Sequence, residues 1–409
     1  MSFSESCVAA GVGVLNAGGK ALRLIGMEGP SLDLESMKKA ARRRTGLTEF
    51  GDWAFEEPLE RLLESYRREA RLTTLGRITV REMIVSLLEN LLYMEAERAA
   101  DPTIETRSIT APVFIIGLPR TGTTLLHNLM AEDAENRVPL TWEVMFPARP
   151  AASGDEHVLR EKTAARLAWA NRLAPEFKRI HPIAPDLPQE CIAITANVFM
   201  SIQFHTTHDV PSYEDWFERS GQALAYDFHY RFLQHLDARR PGKRWVLKAP
   251  GHLFALDALL ERYPDAKIIQ THRDPLRVMA SMASHATVLR KAFSDSADPA
   301  AIAADWTRRW ADALDRFLCV RDLAPATQFL DVSYDDTESR PIETIERIYD
   351  FLGWPLMPEA RAAMERHLAA NPKNKHGVHR YSLDEYGLDR ETELARFRAY
   401  CDRFAIPVQ

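Results

Sequence analysis

Apolar positions along this chain recur in two rhythms. In the first hundred residues the rhythm is helical: Leu59, Leu62, Leu63 and Tyr66, then Ile84, Leu87, Leu88, Leu91 and Leu92, return every three to four positions. That spacing predicts amphipathic helices. Residues 1–108 are therefore expected to form a helical N-terminal extension, a cap or an oligomerisation element through which a homo-oligomer could form. Its basic run Arg42 to Arg44 reads as a solvated helix face.

After that come short segments that read as strands: the apolar run Val113 to Ile116, Trp245 to Leu247 ending at Lys248, Lys267 to Thr271, and Thr327 to Val332. Runs of this length between turn residues predict buried parallel strands. Helical patterns separate them, so residues 109–409 are expected to form an α/β domain with a central parallel sheet flanked by helices. Residues 150–240 read as a helix-rich insertion. Within it Arg160 to Arg179 is amphipathic, the prolines Pro182, Pro185 and Pro188 make a stiff linker, and Glu190 opens an apolar helix predicted to run through Phe204. His181, His205 and His208 lie there among aromatic residues, a mixture that suits the wall of a pocket for an acceptor molecule. Further on, Trp306, Trp310, Leu314 and Phe317 mark another amphipathic helix. Pro341 to Leu352 is a helix stopped by Gly353 and Pro355.

Composition narrows the function classes. With 409 residues, 46% hydrophobic and 27% charged, the chain is an ordinary globular protein, and its net charge of −6 offers no general attraction to nucleic acid. The cysteines Cys7, Cys191, Cys319 and Cys401 are scattered without metal-ligand spacing, as expected for a reducing cytoplasm. The N-terminus lacks a basic stretch ahead of an apolar one, and no run is long enough to span a membrane.

Chemistry concentrates in Val113 to Met130, VFIIGLPRTGTTLLHNLM. A strand breaks at Gly117-Leu118-Pro119 and a helix resumes at Thr123, which brings backbone N–H groups and a helix N-terminus around one point and favours a phosphate. Gly117 and Gly122 keep the glycine spacing of a Walker A loop, but Thr123 stands where its lysine belongs and Arg120 sits inside the loop. The string PRTGTT resembles the 5′-phosphosulfate loop of the sulfotransferase family, which uses 3′-phosphoadenosine 5′-phosphosulfate (PAPS). A second block strengthens the resemblance: LKAPGH, a helix, then PDAKIIQTHRDPLRVMAS is similar to the family's 3′-phosphate region.

The resemblance implies a P-loop-like fold and sulfuryl transfer from PAPS to a hydroxyl or amine of a small-molecule or glycan acceptor. It implies donor contacts from Pro119, Arg120, Thr121, Gly122, Thr123 and Thr124, with Lys248 on the phosphosulfate and Arg273 and Ser281 on the 3′-phosphate. Lys375, in a late basic loop, is a further expected contact. Arg120 and Lys248 are expected to stabilise charge on the leaving phosphate and the sulfuryl oxygens. The expected general base is Glu143, which follows the loop at about the distance of a family glutamate; His252 is second and Glu190 third. No strand near these motifs ends in a Walker B-like acid, so no metal is expected. A P-loop kinase or ATPase, and a catalytically silent nucleotide-binding protein, stay as alternatives, the former disfavoured by Thr123.

Overall fold

The computed structural model describes residues 3–24, 29–148, 155–173, 183–371 and 383–408. Five parallel strands form its sheet: β1 (Val113–Gly117), β2 (Asn136–Arg137), β3 (Arg244–Lys248), β4 (Lys267–His272) and β5 (Phe329–Ser333). They lie in the order β2-β3-β1-β4-β5. The chain leaves β1 toward one edge, returns through β3, crosses to β4 and proceeds to the other edge. β1 pairs with β3 and β4, and the crevice beyond its C-terminal end is the topological switch point, where open α/β sheets bind their ligands.

Period-two alternation divides the strand side chains between the two faces. Phe114, Ile116, Trp245, Leu247 and Ile268 pack into one cluster, and Val113, Ile115, Val246, Ile269 and Val332 into another. Both faces of the central strand β1 are covered, and its run Val113 to Ile116 is accordingly continuously apolar, whereas the edge strand β5 mixes buried and exposed positions. The second face is closed by Leu126, Leu129 and Met130 of helix α5, numbered below, and by Ile345 and Ile348 of the helix Pro341–Leu352.

The N-terminal helices α1 (Phe3–Leu24), α2 (Leu34–Thr45), α3 (Glu56–Arg68) and α4 (Thr74–Ala100) precede β1; α5 (Thr123–Ala131) follows it. Leu59, Leu62, Leu63 and Tyr66 of α3 and Ile84, Leu88, Leu91 and Leu92 of α4 are all buried, as their spacing predicts. They join the same apolar core as Phe114 and Ile116 of β1, so the N-terminal helices share the core on the first face of the sheet.

The expected helix from Glu190 through Phe204 is broken. It forms as Cys191–Thr195, a 3₁₀ turn Ala196–Val198, and a second short helix Gln203–Thr207. Phe199 sits between them in the left-handed region at φ 58°. The buried Tyr213 hydroxyl secures the break: it donates to the Phe199 carbonyl at 2.7 Å and accepts from the Ser201 N–H at 3.1 Å. Apolarity predicted burial here correctly, while a side chain twelve residues downstream set the backbone path. Among the described residues no helix is long and apolar enough to cross a membrane.

Candidate active site

The loop after β1 is held by its own residues. Gly117 has φ 152°, and a Cβ there would lie 2.3 Å from the Thr271 hydroxyl and 2.7 Å from the Thr271 carbonyl of β4. Only glycine lets the two strands meet this closely before the turn. Thr121 is fully buried; its hydroxyl donates to the Leu118 carbonyl and lies in hydrogen-bond contact with the Thr271 hydroxyl, both at 2.6 Å. Its side chain therefore braces the loop from inside. Arg120 is exposed and has φ 65°, an unusual conformation for a residue with a Cβ. Gly122, at φ 87°, caps α5 and turns the chain into Thr123 and Thr124.

Neighbouring strand ends bring cations to this point. Lys248, the last residue of β3, pairs with Ile115 and is 2% exposed; its ammonium donates to the Thr124 hydroxyl at 3.2 Å and to the Glu190 carboxylate. Arg273 follows β4, donates to the Arg120 carbonyl at 2.7 Å and stacks its guanidinium over the Tyr334 ring at 3.8 Å. Burial lowers the Arg273 guanidinium below its ordinary range, and the charges of Arg120 and Arg277 act the same way, against Tyr334 and Glu338. Cations gathered at a helix N-terminus favour a bound anion. His127, behind them on α5, adds no charge: burial, and then the charge of Lys248, push its imidazole down to about 3.

The loop, Arg273 and Tyr334 border a cavity of about 430 Å³, which Lys248 does not line itself but touches through Thr124 and Glu190. Its polar end is formed by Pro119, Arg120, Gly122, Thr123, Thr124 and Arg273, with Tyr334 and Glu338 beside them. Ile183, Ile192, Ile202, Met282, Leu289 and Trp310 supply an apolar wall, and Gln203, Thr206 and His285 add polar groups. Glu190 lies on the cavity between the two. In this cleft an anion-binding loop and a carboxylate face the same cavity.

The other expected site residues fall elsewhere. Glu143 is 4% exposed and receives both arms of the Arg137 guanidinium at 2.9 and 2.7 Å, while its carboxylate also accepts the Leu140 N–H at 2.9 Å. It does not line the cavity. His252 is turned into the core under the sheet, with Nδ1 2.8 Å from the Tyr226 hydroxyl and its ring edge-on to Phe114. Burial holds its imidazole well below the usual range, with His229 adding to the effect. Ser281 lies on the helix Pro275–Phe293, partly exposed, beside the cavity residue Met282. Lys375 and His181 lie outside the described residues. His205 pairs with Asp305 at 2.7 Å and His208 with Tyr66 at 3.0 Å, so both serve packing between helices.

Tyr334, Glu338 and His285 are among the cavity residues that have no counterpart in the motif reading. Tyr334 carried a signal, because it directly follows strand β5 and so falls on the ligand side of the sheet. Glu190 stood only third among the candidate bases; its position in space was hidden by the irregular segment that carries it.

The fold is α/β with a P-loop-like turn at the end of its central strand, and the cleft opens at that turn. The chain belongs to the sulfotransferase family, whose model matches residues 112–359. Its structure is similar to that of sulfotransferase STF1 from Mycobacterium tuberculosis, with a TM-score of 0.80 and 34% identity, covering 90% of this chain and 98% of that one. Sulfotransferase STF9 from Mycobacterium avium superposes with a TM-score of 0.81 at 25% identity, covering 92% and 98%. The omega-hydroxy-beta-dihydromenaquinone-9 sulfotransferase Stf3 of Mycobacterium bovis is 26% identical over 328 residues, 72% of this chain and 80% of Stf3. The protein is accordingly a sulfotransferase.

Proposed function

We propose that the protein transfers the sulfuryl group of PAPS to a hydroxyl on an apolar, lipid-like acceptor, with Glu190 as the general base. The observation that carries this is the shared cavity: the loop and Arg273, the Glu190 carboxylate and an aliphatic wall all line it, with Lys248 bonded to the lining residues Thr124 and Glu190. The lipid class of acceptor is supported by that wall and by the name of the Stf3 relative.

The donor supplies a sulfuryl group on a 5′-phosphate leaving group. Arg120, Thr123, Thr124 and the N-terminus of α5 would hold the 5′ end, and Arg273, fixed by Tyr334, the 3′-phosphate. Glu190 takes the proton of the acceptor hydroxyl as the new O–S bond forms and the S–O bond to the 5′-phosphate breaks. Lys248 and the loop neutralise the charge that develops on the leaving oxygens. Glu143 is unsuited to the base role because its carboxylate is committed to Arg137 and Leu140 away from the cavity. His252 is unsuited because its ring is enclosed by Phe114 and Tyr226.

The described cysteines Cys191, Cys319 and Cys401 are all free thiols, which suits a cytoplasmic setting.

Calorimetry with adenosine 3′,5′-bisphosphate, compared with ATP and magnesium, tests the donor; saturable binding of the former and weak binding of the latter are expected, and the reverse preference would sink the reading. Mass spectrometry of a lipid extract incubated with PAPS and protein then tests the acceptor, by the gain of one SO₃ on a lipid alcohol.

A further inference from the structure

We infer that Lys248 couples the donor and acceptor halves of the site: an anion at the loop and the Glu190 carboxylate compete for one ammonium, so that loading the donor releases Glu190 to accept the acceptor's proton. The inference rests on the PAPS reading above and adds an order of events to it.

The geometry is specific. The Lys248 ammonium is buried, with a side chain 3% exposed, and touches the cleft through Thr124 and Glu190, both of which line it. Its two hydrogen-bond partners, Thr124 and Glu190, belong to different halves of the site. Thr124 belongs to the first turn of α5, where the anion is held, and Glu190 opens the segment that forms the acceptor wall. An ammonium has three N–H donors on a flexible stem, whereas its Cα is fixed by the pairing of β3 with β1. It can therefore change partner without any movement of the sheet.

Electrostatics makes the sharing competitive. A phosphate or sulfuryl oxygen arriving beside Thr124 takes part of the charge that Glu190 otherwise neutralises, and repels the carboxylate through a poorly solvated space. Coupling of this kind is reciprocal, so a carboxylate that loses Lys248 to the donor must in turn weaken donor binding by the same factor. A base released only after the donor is seated would also restrain proton abstraction before a sulfuryl group is in place.

The reciprocity supplies a test without turnover. The dissociation constant of adenosine 3′,5′-bisphosphate is measured calorimetrically for the wild type, Glu190→Gln, Lys248→Met and the double variant. Glu190→Gln is expected to bind the nucleotide about fivefold or more tightly than the wild type, and Lys248→Met more weakly. In the Lys248→Met background, adding Glu190→Gln is expected to change affinity by less than about twofold, because the shared cation is gone. Unchanged or weaker binding by Glu190→Gln overturns the inference. So does equal tightening in both backgrounds, which would mean simple removal of a negative charge. Failure of the wild type to bind removes the donor reading as well, whereas binding without coupling removes this inference alone. Circular dichroism establishes that each variant is folded, and Glu190→Ala, read the same way, replaces Glu190→Gln if the latter is not.

Discussion

Arg137 holds Glu143 in a buried two-armed ion pair, at 2.9 and 2.7 Å, with both side chains 5% exposed. The pair joins the short strand β2 to the helix Thr141–Met145, and the same carboxylate accepts the Leu140 N–H in a helix-capping contact. Breaking one side of a buried pair leaves the other charge uncompensated, at about 3–5 kcal/mol. Glu143→Gln is therefore expected to lower the melting temperature clearly while the folded fraction keeps turnover within about tenfold of the wild type.

Glu190→Gln should differ in turnover. A base removed from the reaction typically lowers turnover by roughly 10²- to 10⁴-fold, while the melting temperature should fall here too, because the buried Lys248 ammonium loses its carboxylate partner. Paired measurements of kcat and thermal unfolding on the two variants decide between them. A Glu190→Gln protein that retains near-normal kcat would exclude Glu190 as the base.

Arg273 is placed by two contacts, the Arg120 carbonyl and the Tyr334 ring. Arg273→Ala is expected to weaken adenosine 3′,5′-bisphosphate binding by about 10- to 100-fold, the loss of a charge-assisted hydrogen bond worth roughly 1.5–3 kcal/mol. Arg273→Lys should recover only part of it, since an ammonium lacks the planar fork and stacks less well on Tyr334. Equal affinity of the Lys variant and the wild type in calorimetry would show that charge alone matters there.

Gly117→Ala introduces a Cβ at φ 152° that meets the Thr271 hydroxyl and carbonyl at 2.3 and 2.7 Å. Since part of the obstruction is backbone of β4, the loop must shift, and a destabilisation of at least about 1–3 kcal/mol is expected together with loss of nucleotide affinity. Chemical denaturation and calorimetry read the two effects separately.

Stability should fall on mild acidification. Burial is the leading cause that pushes the imidazoles of His127, His208 and His229 down to about 3 and that of His205 to about 4. Folded values below the ordinary 6.5 mean that the unfolded chain takes up protons first. The stabilisation is thus full above about pH 6.5 and declines as pH drops from there toward 3–4, by up to about 1.4 kcal/mol per pH unit for each histidine. Urea unfolding at pH 7.5 and 5.5 should show the difference, and His229→Gln, which removes a ring whose Nδ1 lies 2.7 Å from the Tyr263 hydroxyl, should reduce the slope.

How much of this was legible in the residues depended on the range of the interactions involved. The sheet was legible because its central strand run, Val113 to Ile116, is covered on both faces, which forces continuous apolarity. The α3 and α4 helices were legible because one face of each is buried. The helix Pro341–Leu352 ends where Gly353 permits a left-handed cap at φ 67°. The break at Phe199 was not legible, because it depends on the hydroxyl of Tyr213.

The site divides along the same line. Local sequence by itself determined the anion loop, since glycines, a helix start and strand-end cations act through backbone geometry within a few residues. It also indicated Lys248 and Arg273, because parallel strand ends always face the ligand side. Only the tertiary structure separates the carboxylates. Glu143 and Glu190 are alike in sequence, but one meets Arg137 inside the protein and the other meets Lys248 at the cavity. A segment with irregular backbone carries Glu190 there, secured by long-range contacts such as Gln189 N–H to the Pro139 carbonyl at 2.8 Å. A carboxylate's role is set by the charge that shares its enclosure, and that enclosure exists only once distant segments have packed.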